Sequence, residues 1–151
     1  MSKIDALKKD FSRLPDVLEE YDEYLEKARV MLPIAGKTLD TAQKEQCGGY
    51  AFFDERRAEL KTLVKFMTAQ VDKVRGELTR KYMSGSRDMG ERIIAKYIDS
   101  EPSYLSMYEL LLEVEEVYDK YNAVVEAFTK RGYALKDLTA ARIAEIHNVT
   151  I

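Results

Sequence analysis

The 151-residue sequence predicts an all-α protein of long helices, packed as a bundle or as coiled-coil-like arms and closed by a short C-terminal helix. Three observations predict it. Apolar residues recur at alternating spacings of four and three along most of the chain, which keeps them on one face of a helix. Seven glycines and three prolines supply little turn material for a multi-stranded sheet. A charged fraction of 34% beside a hydrophobic fraction of 46% suits solvated helix faces around an apolar seam.

The first stripe is Leu14, Leu18, Tyr21, Leu25, Ala28, Leu32, Ala35, Leu39 and Ala42, with Ile4, Leu7 and Phe11 leading into the same register. Pro15 suits the first turn of a helix, where a missing N–H costs nothing, so a short opening helix ends before it. Pro33 falls inside the stripe and kinks or breaks it, because its ring clashes with the preceding turn. The stretch QCGGY, Gln46–Tyr50, is expected to stop the helix, since glycine loses the most chain entropy there.

The second stripe is Phe53, Leu60, Val64, Met67, Val71, Val74 and Leu78, with Arg57 in the slot between the first two. From about Ala51 to Met83 this gives a helix of about 50 Å, the length of a coiled-coil or bundle arm. The stretch SGSRD, Ser84–Asp88, reads as a loop, and Asp88 with Glu91 resembles a capping box. A short helix then carries Ile93, Ile94, Tyr97 and Ile98. The chain turns at Asp99–Ser103, and Pro102 opens the next helix.

The third stripe is Met107, Leu111, Val114, Tyr118, Tyr121, Val125 and Phe128. At FTKRGY, Gly132 is expected to take the left-handed conformation while Tyr133 folds back on Phe128, as in a Schellman cap. The last segment, Ala134 to about His147, reads as a short helix whose apolar residues, including Leu135, Leu138, Ile143 and Ile146, suit docking within the chain or on another subunit. The facing partners of the three stripes come either from one chain, as an antiparallel bundle, or in part from neighbouring subunits.

Composition excludes several classes. No apolar run approaches the roughly 18 residues of a membrane span, and the opening MSKIDALKKD lacks the apolar stretch of a signal peptide. Cys47 is the single cysteine, so no internal disulfide forms and a cytoplasmic location is expected. Neither G-x-x-x-x-G-K-[ST] nor G-x-G-x-x-G occurs, which argues against nucleotide hydrolysis. The carboxylate-dense stretch Glu109–Tyr121 lacks the Glu-x-x-His pairs of a di-metal bundle, and His147 is the single histidine. No catalytic residue, metal or cofactor is assigned.

Charge, in contrast, is segregated. Residues 1–55 hold 8 basic and 12 acidic side chains, residues 56–96 hold 11 and 5, and residues 97–151 hold 5 and 10. The basic middle predicts a phosphate-binding surface, because Lys and Arg displace counterions condensed on nucleic acid. Lys65, Lys73, Arg75, Arg80, Lys81, Arg87, Arg92 and Lys96 are the expected phosphate contacts. Tyr82 is the expected stacking residue for an unpaired base. The competing reading is a solvated helix face, with pairs such as Asp72 near Arg75 and Glu77 near Lys81.

Two motifs carry a family resemblance. RKYMSGSRD, Arg80–Asp88, and EAFTKRGYALKDLTAAR, Glu126–Arg142, resemble the UvsY-type recombination mediators of tailed phages. In that family a long helix ends in a Tyr-x-Ser-Gly-like turn with basic residues nearby, matched here by Tyr82, Ser84 and Gly85. The last long helix closes with a basic Arg-Gly-aromatic segment, matched by Lys130, Arg131, Gly132, Tyr133, Leu135 and Lys136, followed by Arg142 in the C-terminal helix. The resemblance spans roughly Leu60 to Ile146. It implies one helical domain, with an N-terminal helical segment at 1–50 and a family-like core at 51–151. It also implies a ring-like homo-oligomer that binds single-stranded DNA, helps displace a single-strand-binding protein and loads a RecA-like recombinase, without enzymatic activity. Phe128, Tyr133, Leu135, Leu138, Ile143 and Ile146 are the expected subunit contacts. The longer acidic N-terminal segment and a net charge of −3 depart from the family pattern. The alternative is a helical scaffold or adaptor of the phage-assembly or chaperone type, in which the basic arm is only a soluble face.

Overall fold

The computed structural model describes residues 2–85 and 89–148. The elements are α1 (Lys3–Lys9), a 3₁₀ turn (Phe11–Arg13), α2 (Leu14–Met31), α3 (Leu39–Gly85), α4 (Glu91–Asp99) and α5 (Pro102–Asn148). The all-α expectation holds, and the described residues contain no strand. Prolines mark the expected boundaries. Pro15 lies in the first turn of α2, α2 stops just before Pro33, and Pro102 opens α5. The α1 start is a reciprocal capping box: Ser2 Oγ accepts from the Asp5 N–H while the Asp5 carboxylate accepts from the Ser2 N–H. Gly36, with φ of 78°, turns the chain between α2 and α3, a conformation that glycine adopts without steric cost.

The chain forms two compact units. Unit 1 comprises Met1–Ala58 and Asp119–Ile151. Its core contains Leu7, Leu14, Leu18, Tyr21, Ala28, Ala42, Phe53, Tyr121, Val125, Phe128 and Leu135. Tyr21 meets Tyr121 edge-on at 5.7 Å, and the Tyr121 hydroxyl donates to the Tyr21 carbonyl at 2.8 Å. A buried phenol thus finds the partner that its burial demands. Phe53 stacks on Phe128 with ring centroids 5.5 Å apart.

Three expectations are corrected in unit 1. The glycine pair does not stop a helix, because α3 runs through Gly48 and Gly49. At Gly49 the Phe128 ring of α5 comes close: a Cβ there would lie 2.6 Å from Phe128 Cε1 and 3.2 Å from Met31 Cε. Nor does Gly132 cap a helix, since α5 continues to Asn148 and Gly36 is the sole described residue with positive φ. A Cβ at Gly132 would lie 3.0 Å from Gln46 Nε2, so this glycine too serves a close approach. Tyr133 consequently does not fold onto Phe128; it is 67% exposed. The expected separate C-terminal helix, Ala134 to His147, is the final stretch of α5.

The stripe of α5 therefore continues past Phe128 through Arg131, which is 5% exposed. Its Nε donates to the Leu32 carbonyl at 3.0 Å, and Nη1 donates to the Ala42 carbonyl at 2.9 Å and to Gln46 Oε1 at 3.0 Å. Nη2 meets the Glu45 carboxylate at 3.2 Å. Lys37 Nζ joins the same carboxylate at 2.7 Å and caps the Val30 and Met31 carbonyls. Orphan carbonyls at the C-terminus of α2 are thereby met by cations, as both hydrogen bonding and the helix dipole favour.

Unit 2 is Glu59–Tyr118. Leu60, Leu63, Met67, Val71 and Leu78 of α3, Ile94 and Ile98 of α4, and Leu111, Val114 and Val117 of α5 are buried. Leu78, Ile94 and Ile98 form one cluster, edged by Val74, Tyr82, Met89 and Tyr104. The helix α3 persists through Ser84 and Gly85, where a loop was expected, and the expected cap Asp88 lies outside the described residues. Gly90 is the N-cap of α4 and makes no side-chain hydrogen bond there.

Candidate nucleic-acid interface

The basic segment lies on the second half of α3 and on α4. Successive helical residues turn by about 100°, so Lys65, Lys73 and Arg80 fall within about 80° of one another around α3. Leu60, Met67, Val71 and Leu78 occupy the opposite side and are buried. Burial of one stripe thus forces the cations outward. On α4, Ile94 and Ile98 face the core, while Arg92 and Lys96 are exposed.

Lys65, Lys73, Arg80, Arg92 and Lys96 are all exposed and make no hydrogen bond or ion pair among the described residues. Lys81 is exposed near the Tyr82 ring, with Nζ 5.9 Å from the centroid. Arg87 lies outside the described residues.

Arg75 differs. Its Nη2 meets Asp99 at 3.0 Å and donates to the Tyr104 hydroxyl at 2.9 Å, and the guanidinium sits 4.9 Å from the Tyr104 ring centroid. The hydrogen bond to Tyr104 is the main influence raising its pKa. Asp99, 24 residues away, pairs with Arg75, and the neighbouring Asp72 that helical spacing suggested adds a smaller attraction. Arg75 is therefore less free to meet an outside anion than the neighbouring cations that are unpaired among the described residues.

Tyr82 also has partners. Its hydroxyl donates to the Glu101 carboxylate, and its ring stacks on Tyr97 at 5.8 Å with the planes 21° apart. That hydrogen bond holds the phenol pKa above its ordinary value. Half-buried Tyr82 supports the exposed Tyr97 ring, so the aromatic surface open to a base belongs to Tyr97 rather than to Tyr82 alone.

No protein-family model, curated protein or solved structure matches the chain.

Unit 2 contains 9 basic and 11 acidic residues, so its cations are balanced in number by carboxylates. Glu109, Glu113, Glu115 and Glu116 of α5 carry much of the opposing charge. Among the described residues no group of three or more His, Cys, Asp or Glu side chains is placed to hold a metal ion. None of the described helices is long and apolar enough to cross a membrane. Sequence reasoning passed over Lys61, which is exposed and unpaired among the described residues. Its position one turn before Lys65 was the available signal.

Of the expected subunit contacts, Phe128 and Leu135 are buried within unit 1, at 0% and 3% exposure, and are not free to meet another copy. Tyr133, Leu138, Ile143 and Ile146 are exposed on the last turns of α5.

Proposed function

We propose that this protein binds single-stranded DNA and acts as a recombination mediator, helping to displace a single-strand-binding protein and load a RecA-like recombinase. The observation that carries the DNA-binding part is a set of cations on α3 and α4 that are exposed and unpaired among the described residues: Lys65, Lys73, Arg80, Arg92 and Lys96. Lys and Arg of this kind gain affinity by releasing counterions from phosphates. Tyr97, 48% exposed on α4, offers a ring to an unpaired base, which duplex DNA cannot present. The mediator role rests on the resemblance of Arg80–Asp88 and Glu126–Arg142 to the UvsY-type family. In this reading the exposed Tyr133, Leu138, Ile143 and Ile146 join copies into a homo-oligomer. Each copy's weak face then adds to the avidity for a strand long enough to reach several.

The test is a titration of fluorescent single- and double-stranded oligonucleotides at two salt concentrations. Single-strand preference and a steep loss of affinity with salt support the reading. Combined reversal of Lys73, Arg80 and Lys96 to Glu should abolish binding while leaving helicity unchanged. Equal binding by parent and reversed protein would sink the assigned face. Recombinase loading onto strand coated with single-strand-binding protein tests the mediator step separately.

One observation favours the alternative of a helical adaptor. Leu105, Tyr108 and Leu112 form an exposed apolar row on α5, at 41%, 40% and 45% exposure. If no oligonucleotide binds even at low salt, that row becomes the better guide to function.

A further inference from the structure

Between α3 and α4 in unit 2 lies a groove of about 220 Å³. Ile94 and Ile98 form its floor, Thr79 and Met83 line the α3 side, and Glu91 and Ala95 line the α4 side. Arg75 closes one end, its guanidinium held by Asp99 and Tyr104. The lining is mainly carbon, with the flat Arg75 guanidinium and the Glu91 side chain as its charged groups. Met83, 58% exposed, is unbranched and can move aside or close over an occupant.

Cations flank the lining. At about 100° per residue, Arg80 lies about 60° round α3 from Met83 and Arg92 about 60° round α4 from Ala95, and both are exposed and unpaired among the described residues. A neutral apolar ligand would gain nothing from these cations. A flat apolar ring joined to phosphates on either side would gain from floor and cations together.

We propose that this groove receives one unstacked nucleobase of a bound single strand, while Arg80 and Arg92 hold the flanking phosphates. The proposal rests on the DNA-binding reading above and deepens it. The base lies against Ile94 and Ile98, with the immobilised Arg75 guanidinium at its edge. Arg75 thereby acts as a wall of the site rather than as a free phosphate contact. A base paired within a duplex cannot enter, so the groove adds a source of single-strand preference separate from the cations.

The test compares a single-stranded oligonucleotide with an abasic strand of equal length and charge. Parent protein should bind the normal strand about tenfold more tightly. Ala95→Phe places a ring in the groove and should lower affinity for the normal strand toward the abasic value, leaving abasic binding unchanged. Thr79→Leu, on the facing helix, should act in the same direction, so the result does not depend on one variant folding. Circular dichroism checks that both variants keep their helicity. If both filled variants bind the normal strand as the parent does, the groove takes no base, although the phosphate face stands. If the parent binds neither strand, the DNA-binding reading fails and this proposal falls with it.

Discussion

Gly49 packs directly beneath the Phe128 ring: a Cβ at position 49 would come within 2.6 Å of Cε1 and 2.7 Å of Cζ. Phe128 is fully buried and stacked on Phe53, so it has nowhere to retreat. Gly49→Ala should therefore destabilise the protein by about 1–3 kcal/mol through overpacking. Gly48 has nothing within 4 Å of its would-be Cβ. Gly48→Ala should stabilise by up to about 1 kcal/mol through helix propensity. Denaturant midpoints of the two single variants measure the contrast, and equal effects would refute the packing account.

Arg131 makes four hydrogen-bonding contacts, with Leu32, Ala42, Glu45 and Gln46. Arg131→Met leaves buried carbonyls and the Glu45 carboxylate short of a donor. The expected cost is about 3 kcal/mol. Arg131→Lys keeps the charge but loses the planar fork, so it should recover a minor part of the loss. Thermal unfolding of the two variants provides the comparison.

Salt dependence separates a phosphate contact from a bystander. Lys73 is exposed and unpaired among the described residues, so Lys73→Ala should weaken single-strand binding and reduce the log–log salt slope by about 1. Lys44, paired with Asp40 at 2.8 Å on the first turns of α3, should leave the slope unchanged when replaced by Ala. Titrations at several salt concentrations give both slopes.

Acid should loosen unit 1. The Tyr24 hydroxyl hydrogen bond, then Lys3, hold Glu20 below its ordinary value of 4.5. A lowered folded pKa means stability that is fully present above pH 4.5 and is lost as pH falls through the folded value. Glu126, lowered by Lys130, and Asp5, lowered by its bond with Ser2, act in the same direction. Glu20→Gln should flatten the acid limb while costing less than about 1 kcal/mol at neutral pH, because solvent reaches and screens the half-exposed pair. Unfolding curves from pH 7 to pH 3 test the sign.

Much of the fold was legible because helical periodicity and proline stereochemistry are local properties. Tyr21, Phe53, Met67, Val114 and Phe128 lie on the expected stripes and are buried. Leu63 and Val117 are also buried, although the four-three spacing passes over them, because a packed helix buries a broader face than one seam. The glycines misled for a physical reason. Sequence displays the entropy that Gly49 and Gly132 cost a helix, but not the ring or amide that needs their missing Cβ. Arg131 was opaque for a similar reason, since its carbonyl partners lie 89 and 99 residues away. At the candidate site, charge segregation was plain. The pairing of Arg75 with Asp99, across a loop and a helix, was not.

Unit 1 draws on both ends of the chain, Met1–Ala58 and Asp119–Ile151. On the ribosome, Phe53 therefore emerges well before Phe128. At about 5–20 residues per second, that delay is about 4–15 s, against microseconds for a helix to form. During this interval Tyr21 and Phe53 lack Tyr121 and Phe128, the rings that later pack on them. A nascent chain stalled before residue 119 has made the first part of unit 1 without the second, so Tyr21 and Phe53 stay uncovered by their later partners.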